Sequence, residues 1–525
     1  MLIERLLIEK KSVILLRSCV THAVYLNTPL YLNFYDFRQC FDKLWLEDSI
    51  IALYKLGLQD EMLTLIYETN RRATITVNTP LGRTEPFSKT SIVKQGSVTA
   101  SSLCSASIGE FCDEHREGGM PIGRTTINSV AYVDDLTTVN TSVTDSNKSH
   151  SNVCFFSDKK KSPLNEDKCI MVPVNCKKTD PIPVQEVNMK RVEIKDSAKC
   201  LGDIFNRKGT YCDLIEDRVR RGTVCTVNAM ALCSDLQMGK YSLLSLILLY
   251  FMVFLPTVLS NSETWNNMTK NDYNRLHTVQ NKYLKWMLHT PRSTCTAFTL
   301  LELGMLPIRQ EIDLRKLNFL HHILTLPSDD PVICVYNEQK LYTNEPNWYN
   351  EIVELLQYYS IIDDEETIKS MSKDRWKNIT KQAIRTKTLT ILNEECRSKS
   401  KTANVPVYEE LAQQEYFLQL TPRRARTYFQ IRANVYDIKC NRKYMYSDEI
   451  CRLCNVELEN MDHILNHCSM LSRGNAVIED IYDMSEPNVS ELIRRVEQFK
   501  EELEQKEELS SVGLSANLSH TNPQE

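Results

Sequence analysis

The feature that most constrains this chain is a pair of acids set between two stretches built for β-structure. INSVAYV precedes Asp134–Asp135 and LTTV follows them. Val, Thr and Tyr fit a pleated surface, so two such runs with a brief interruption read as a hairpin whose turn carries both carboxylates. Upstream, LYLNFYDF (30–37) is an apolar run of strand length that reaches its acid at Asp36. An acid ending one strand, beside a hairpin with two acids at its turn, makes carboxylates converge from rigid elements. Taken singly each element is commonplace, since acids are frequent in solvated turns.

The surroundings supply a frame. Leu46, Ile50, Leu53 and Tyr54 share one helical face, with Gly57 as the stop signal. ATITVNTPLGRTEPF (73–87) reads as a hairpin around Thr79–Gly82. Small residues dominate Ser97–Ile108, which lets a helix pass close to another backbone or to a substrate. Residues 141–168 are polar and lysine-rich and read as loop for much of their length. From about Asp213 the pattern turns helical. Leu276, Val279, Tyr283, Trp286 and Met287 form one stripe, and Ile308, Ile312, Phe319, Ile323 and Leu326 form another behind Pro307. These stripes are core positions. No internal repeat is visible, and SSVGLSANLSHTNPQE at the end reads as disordered.

A chain of 525 residues has room for two to four domains. Its 42% hydrophobic and 25% charged residues are those of a soluble globular protein, and its 14 glycines exclude collagen-like and glycine-rich classes. No glycine-rich phosphate loop is present, which disfavours kinase and P-loop chemistry. The net charge of −5 conceals segregation: residues 497–508 (EQFKEELEQKEE) are acidic, whereas 421–443 carry seven basic residues against Asp437. Arg423, Arg424, Arg426 and Arg432, interleaved with Tyr428, Phe429 and Tyr436, suit phosphate contacts and base stacking. A solvated helix face is the alternative on charge alone.

YSLLSLILLYFMVFLPTVLS (241–260) approaches the ~20 apolar residues needed to span a bilayer. It contains Pro256 and several hydroxyls and lacks a close basic flank, so it reads as a buried core helix ending near Pro256. No membrane association is expected. The start, MLIERLLIEKKSVILL, has scattered charges and no cleavage site, so no targeting signal is identified. Most of the 18 cysteines should then be reduced and buried in an intracellular protein.

Three motifs carry a family resemblance. Asp36-Phe-Arg-Gln-Cys-Phe41-Asp42 resembles motif A of reverse transcriptases, Val93-Lys-Gln-Gly96 resembles motif B, and Ala131-Tyr-Val-Asp-Asp135 resembles motif C. They occur in the family's order, 59 residues apart (36 to 95) and 39 apart (95 to 134). The resemblance implies an α+β fold: a right-hand polymerase palm with a ferredoxin-like split β-α-β sheet, then a mostly α-helical thumb-like region and a small zinc knuckle. It implies RNA-directed DNA polymerase activity by two-metal nucleotidyl transfer on an RNA template and DNA primer with dNTPs. Nothing in the sequence names a protein partner, and the family's site of action is nuclear. Asp36, Asp134 and Asp135 resemble the catalytic ligands of Mg2+ (or Mn2+), which favours hard oxygen donors. Phe41 resembles the gate that clashes with a ribose 2′-hydroxyl. Gln95 and Gly96 resemble the loop touching template and incoming nucleotide, and Asp42 is structural. Lys168, in LNEDKC, resembles the lysine that protonates pyrophosphate, with a solvated loop lysine as the alternative. Cys200-Leu-Gly202 resembles the turn leading to the primer grip.

Cys451-x2-Cys454-x8-His463-x4-Cys468 has the spacing of a tetrahedral Zn2+ site. His467 is a rival ligand. His463 is favoured because the segment resembles the Cys-Cys-His-Cys knuckle that follows the polymerase in non-LTR, LINE-like retrotransposons, where the histidine opens a His-Ile-Leu segment. The resulting plan is a remnant (1–24), the palm (25–205), a helical thumb-like and connector region (206–405), a basic segment with the knuckle (406–470), and an acidic, partly disordered tail (471–525).

Two departures qualify the resemblance. Ser-Val-Thr-Ala follows Gln95-Gly96 where a Ser-Pro is common, and only 35 residues precede Asp36. A complete family member has a fingers subdomain there, and a LINE-like protein an endonuclease further upstream. Lys10, Lys11 and Arg17 do not replace fingers. The expectation is an N-terminally truncated enzyme with impaired polymerase activity. The alternative is a catalytically inactive, retrotransposon-derived nucleic-acid-binding protein.

Overall fold

The structure, a computed structural model, describes residues 9–72, 74–88, 99–235, 243–471 and 477–517. The chain divides into two compact units: Met1–Arg218 with Leu259–Asn274 and Ile312–Lys381, and Val219–Val258 with Arg275–Glu311 and Gln382–Glu525.

The first unit is organised by a five-stranded sheet. Its elements are α1 (Glu9–Tyr25), β1 (Leu30–Asp36), α2 (Leu46–Lys55), α3 (Asp60–Arg71), α4 (Ala100–Glu114), β2 (Ser129–Tyr132), β3 (Asp135–Asn140), α5 (Val143–Lys159), β4 (Ile170–Val174) and β5 (Glu193–Ile194). The strand order is β5-β4-β1-β3-β2. Without β5, the order 4-1-3-2 and the succession β-α-β-β-α-β are those of a ferredoxin-like split sheet. β1 is central, antiparallel to β3 and to β4. Six of its seven residues are buried, because both of its faces are covered. Tyr35 meets His150 of α5 through its hydroxyl at 3.2 Å, while Phe34, on the opposite face, rests on Phe205 with ring centres 6.2 Å apart.

The helix over Leu46–Lys55 forms, but its buried face is Leu46, Ser49, Ala52 and Leu53, with Tyr54 exposed and not on that face as expected. Gly57 takes φ +90° just beyond it. The 74–88 hairpin also forms, with Thr79 paired to Gly82. The region expected to be loop does not: α5 fills most of 141–168. Ser142 caps it, accepting from the Asp145 N–H, and its buried face is Ser146, Ser149, His150, Val153, Phe156 and Ser157. Small hydroxyl residues satisfied inside the unit pass for loop in a sequence, which is why the helix was not legible.

The helix over Lys270–Met287, in the second unit from Arg275 onward, buries Leu276, Val279, Tyr283 and Met287 as expected. Gly222 lies where a Cβ would stand 2.8 Å from Val258, so only glycine admits that helix approach. The 241–260 segment is not one buried helix ending at Pro256. It runs as helix Leu243–Leu249, a π turn over Tyr250–Phe254, and helix Leu255–Val258, passing through the proline. The wider turn, in which the Leu255 N–H donates to the Tyr250 carbonyl, stands directly before Pro256, which has no N–H to donate. Leu246, Tyr250, Phe254 and Val258 are buried, whereas Leu248, Phe251 and Met252 are exposed. Among the described residues no helix is long and apolar enough to cross a membrane. Of the tail expected to be partly disordered, Glu486–Asn517 is helical, with Val489, Leu492, Ile493, Val496 and Phe499 as its buried apolar face, and 518–525 lie outside the described residues.

Candidate active site and candidate metal centre

The end of the central sheet gathers the acids. Asp36 lies opposite Asp135 in the β1–β3 register, and Tyr132 pairs with Asp135 to close the hairpin on Val133–Asp134. Val133 holds φ +56°, a left-handed conformation that β-branched residues rarely adopt and that a tight hairpin turn requires. The turn is held from outside: the Val133 N–H donates to Ser105 Oγ of α4 at 3.2 Å, and Ser12 Oγ of α1 donates to the Ala131 carbonyl at 3.3 Å. The small residues of α4 permit that approach.

A cavity of about 630 Å³ opens beside this turn, lined by Asp36, Cys40, Phe41, Asp134, Asn165 and Lys168 among others. Phe41 reaches it from the short helix Cys40–Lys43, partly buried against the core. Lys168 Nζ stands 3.4 Å from Asp36 Oδ2 and is largely exposed. The loop bearing Lys168 is fastened to β1 by the Asn165 N–H on the Asp36 carbonyl (2.8 Å) and the Arg38 N–H on the Pro163 carbonyl (2.8 Å). Burial raises the carboxyl pKa of Asp134, and the charge of Asp36 adds to the rise, against the lowering effect of its own backbone N–H and of Lys168. Two carboxylates forced together in a half-buried place are a donor set that a hard divalent cation would relieve, so the residues fit the ion.

The structure therefore brings Asp36, Phe41, Asp134 and Lys168 to one cavity and sets Asp135 across from Asp36. Gln95 and Gly96 lie outside the described residues. Asn165 was missed by sequence reasoning, although it stands three residues before Lys168 in the same short loop. The Cys200-Leu-Gly202 turn forms as expected, with Leu201 at φ +49° and Gly202 at φ +77°.

In the second unit, Cys451, Cys454, His463 and Cys468 place one ligand atom each within 4.8 Å of one another. The His463 Nδ1 atom lies 2.8 Å from Glu457 Oε2, which orients Nε2 toward Cys454 Sγ at 3.4 Å. A carboxylate fixing the far nitrogen of a ligating histidine is the usual support of a metal site. Burial raises the Cys454 thiol, but the N–H groups of Glu457 and Val456, with Cys451 and His463, outweigh it and bring the thiol to about 7. Burial holds Cys468 up at about 12. His467 falls outside the cluster: it is exposed, 3.4 Å from Asp462, because the π turn His463–His467 carries it away.

The basic stripe is divided by its own helix, Pro422–Arg432. Arg423 and Arg424 are exposed, and Arg424 makes a two-point pair with Glu497. Arg426 donates to the Met287 carbonyl at 2.9 Å. Arg432 is buried and clamps the buried Glu302 through Nε (3.2 Å) and a terminal nitrogen (2.8 Å). It is a structural ion pair and not a phosphate contact, because no water-facing guanidinium remains. Tyr428 and Phe429, read as stacking residues, are fully buried core. Only Tyr436 of the three aromatics lines an open cavity, together with Arg423, Arg426 and Arg452.

The first unit thus combines a split β-α-β sheet with carboxylates gathered at one end of it. Residues 9–202 match the family model described as "Reverse transcriptase (RNA-dependent DNA polymerase)". Residues 9–202 are thus similar to the reverse transcriptase domain, the domain of RNA-directed DNA polymerases. No curated protein matches it. Among solved structures it is similar to telomerase from Candida albicans in complex with a fragment of telomeric RNA, at 14% identity and a TM-score of 0.29, over 69% of this chain and 53% of that one. Apo telomerase from Candida tropicalis gives 14% identity and a TM-score of 0.31, over 70% and 56%. The chain spans about half the length of these structures, and similarity at that level transfers no role.

Proposed function

We propose that this chain is an RNA-directed DNA polymerase of the non-LTR, LINE-like kind, extending a DNA primer on RNA by two-metal nucleotidyl transfer. The observation that carries the reading is the meeting of Asp36, at the end of one strand, and Asp134, in the neighbouring hairpin turn, in a cavity that Phe41 and Lys168 also line. Magnesium or manganese bound there supplies activation of the attacking 3′-oxygen and neutralisation of the triphosphate. The chain's own groups do the rest. Asp36 and Asp134 hold the ions, with Asp135 as their neighbour. Phe41 excludes a 2′-hydroxyl and so selects dNTPs. Lys168 delivers a proton to the departing pyrophosphate. Gln95 and Gly96 complete the reading as the template loop. The helices of 206–405 act as the thumb, Cys451, Cys454, His463 and Cys468 hold Zn2+, and the site of action is the nucleus.

The test is primer extension by the purified chain on an RNA template with dNTPs and Mg2+. Weak extension that disappears with Asp134→Ala is the expected result, in keeping with the impaired activity expected of the chain. RNA binding without extension, unchanged by Asp36→Ala, would replace this reading with a binding protein that has no catalytic role.

A further inference from the structure

We infer that Asn165 is a positioning residue for the Asp36 carboxylate, holding one of its oxygens so that the other is presented to a divalent cation. The inference rests on the reading of Asp36 as a metal ligand and adds a residue to it.

Asn165 Nδ2 donates to Asp36 Oδ2 at 3.1 Å. The amide cannot turn over without loss, because its Oδ1 accepts the Asp167 N–H at 3.2 Å. Its backbone is fixed as well: its N–H bonds the Asp36 carbonyl, and its own carbonyl accepts from the N–H groups of Lys168 and Cys169, both at 3.0 Å. Phe37 and Leu164 form an isolated bridge beside it. The loop is thus pinned to the end of β1 at main-chain level, and the side-chain donor is aimed by that pinning.

The same loop sends a second donor to the same carboxylate, of opposite character. Lys168 is 64% exposed, with Nζ 3.5 Å from Oδ1 and 3.4 Å from Oδ2. A long exposed ammonium is easily displaced and its pairing is weak. The amide, anchored at both ends, is not. When a cation approaches, Lys168 can yield Oδ1 while Asn165 keeps the carboxylate in its rotamer. Supporting groups of this kind alter metal affinity by ~10-fold or more without touching the metal.

The probe is Mn2+, measured by loss of the free-ion electron paramagnetic resonance signal on the full chain, with the cysteine cluster first saturated with Zn2+. Asn165→Ser keeps a short oxygen for the Asp167 N–H but is too short to reach Asp36. It should melt with the wild type and bind Mn2+ ~10-fold more weakly, as should Asn165→Ala. Lys168→Met should bind Mn2+ at least as tightly as wild type, since a competing cation is gone. Wild-type affinity in Asn165→Ser, while Asp134→Ala abolishes binding, overturns the inference and leaves the metal reading standing. Equal binding by wild type and Asp134→Ala, or none by either, overturns the metal reading and the inference with it.

Discussion

Asp36 and Asp135 face each other across neighbouring antiparallel strands, so the residue before Asp135, at the tip of the hairpin, comes to the same end of the sheet as Asp36. A side chain at a strand end cannot drift far, and the register is fixed by pairing over all six positions of β3. The convergence of Asp36 and Asp134 follows from that register and from the strained turn at Val133.

The first prediction concerns Asp134. Its carboxyl pKa is raised, chiefly by burial and then by Asp36, so the ionised form is disfavoured in the folded state. A group with a raised folded pKa favours folding while protonated, and this contribution is lost as pH rises past its unfolded and then its folded value. Metal-free Asp134→Asn should therefore melt slightly above wild type at pH 7, and the gain should vanish below pH 4. On the proposed reading of Asp134 as a metal ligand, the same variant should lose extension activity by more than ~100-fold. Calorimetry without metal and primer extension with it check the two halves.

The sheet was legible because its strands combine β-branched and aromatic residues with acids at their ends. Both 74–88 and 129–140 fold as the hairpins their composition predicts. The α5 helix was hidden because its buried face carries Ser146, Ser149 and Ser157, which count as polar in any periodicity. Arg432 was misread from charge alone, although a signal was present. Ala425, Tyr428, Phe429 and Arg432 fall at i, i+3, i+4 and i+7, the buried face of one helix, with the arginine as its last member. Its partner Glu302 lies 130 residues earlier, and no local pattern announces it.

The cysteine cluster yields the second prediction. One tightly held metal per chain should be found by elemental mass spectrometry, absent in Cys451→Ser and His463→Ala and retained in His467→Ala. The local core is small, formed by Ile438, Leu453, Ile464, Leu471 and Phe499 around the cysteines. A metal bound there would therefore be a large share of what holds it. Chelation should expose Cys451, Cys454 and Cys468 to a thiol reagent. Protection of all three after complete chelation would show that the cluster folds without an ion.

The third prediction separates arginines of the same helix. Arg432→Met leaves Glu302 buried among the hydroxyls of Tyr408 and Tyr416 with its charge uncompensated. The cost should be about 3–5 kcal/mol, read as a lower unfolding midpoint. Arg423→Ala should leave the midpoint unchanged, weaken RNA binding, and lower the slope of log affinity against log salt by about 1. An Arg423→Ala protein with an unaltered salt slope would remove that residue from the nucleic-acid contact.

The last prediction is an acid-side stability loss centred on Glu110. Burial pushes its carboxyl up, but the ammonium groups of Lys160 and Lys55, both paired with it, outweigh that effect and hold it below the ordinary range. Lys160 is itself buried, so this pair is screened less than a surface bridge. A depressed folded pKa contributes stability at pH values above the unfolded pKa, and the contribution is lost as pH falls through the folded one. Wild type should thus lose more melting temperature between pH 6 and pH 3 than Glu110→Gln, which lacks the titrating group. At pH 7 the order reverses in cost: Glu110→Gln should be the less stable protein, because it leaves the Lys160 charge buried without its partner. Parallel pH profiles of the two proteins would contradict this account of how α4 and the end of α5 are held together.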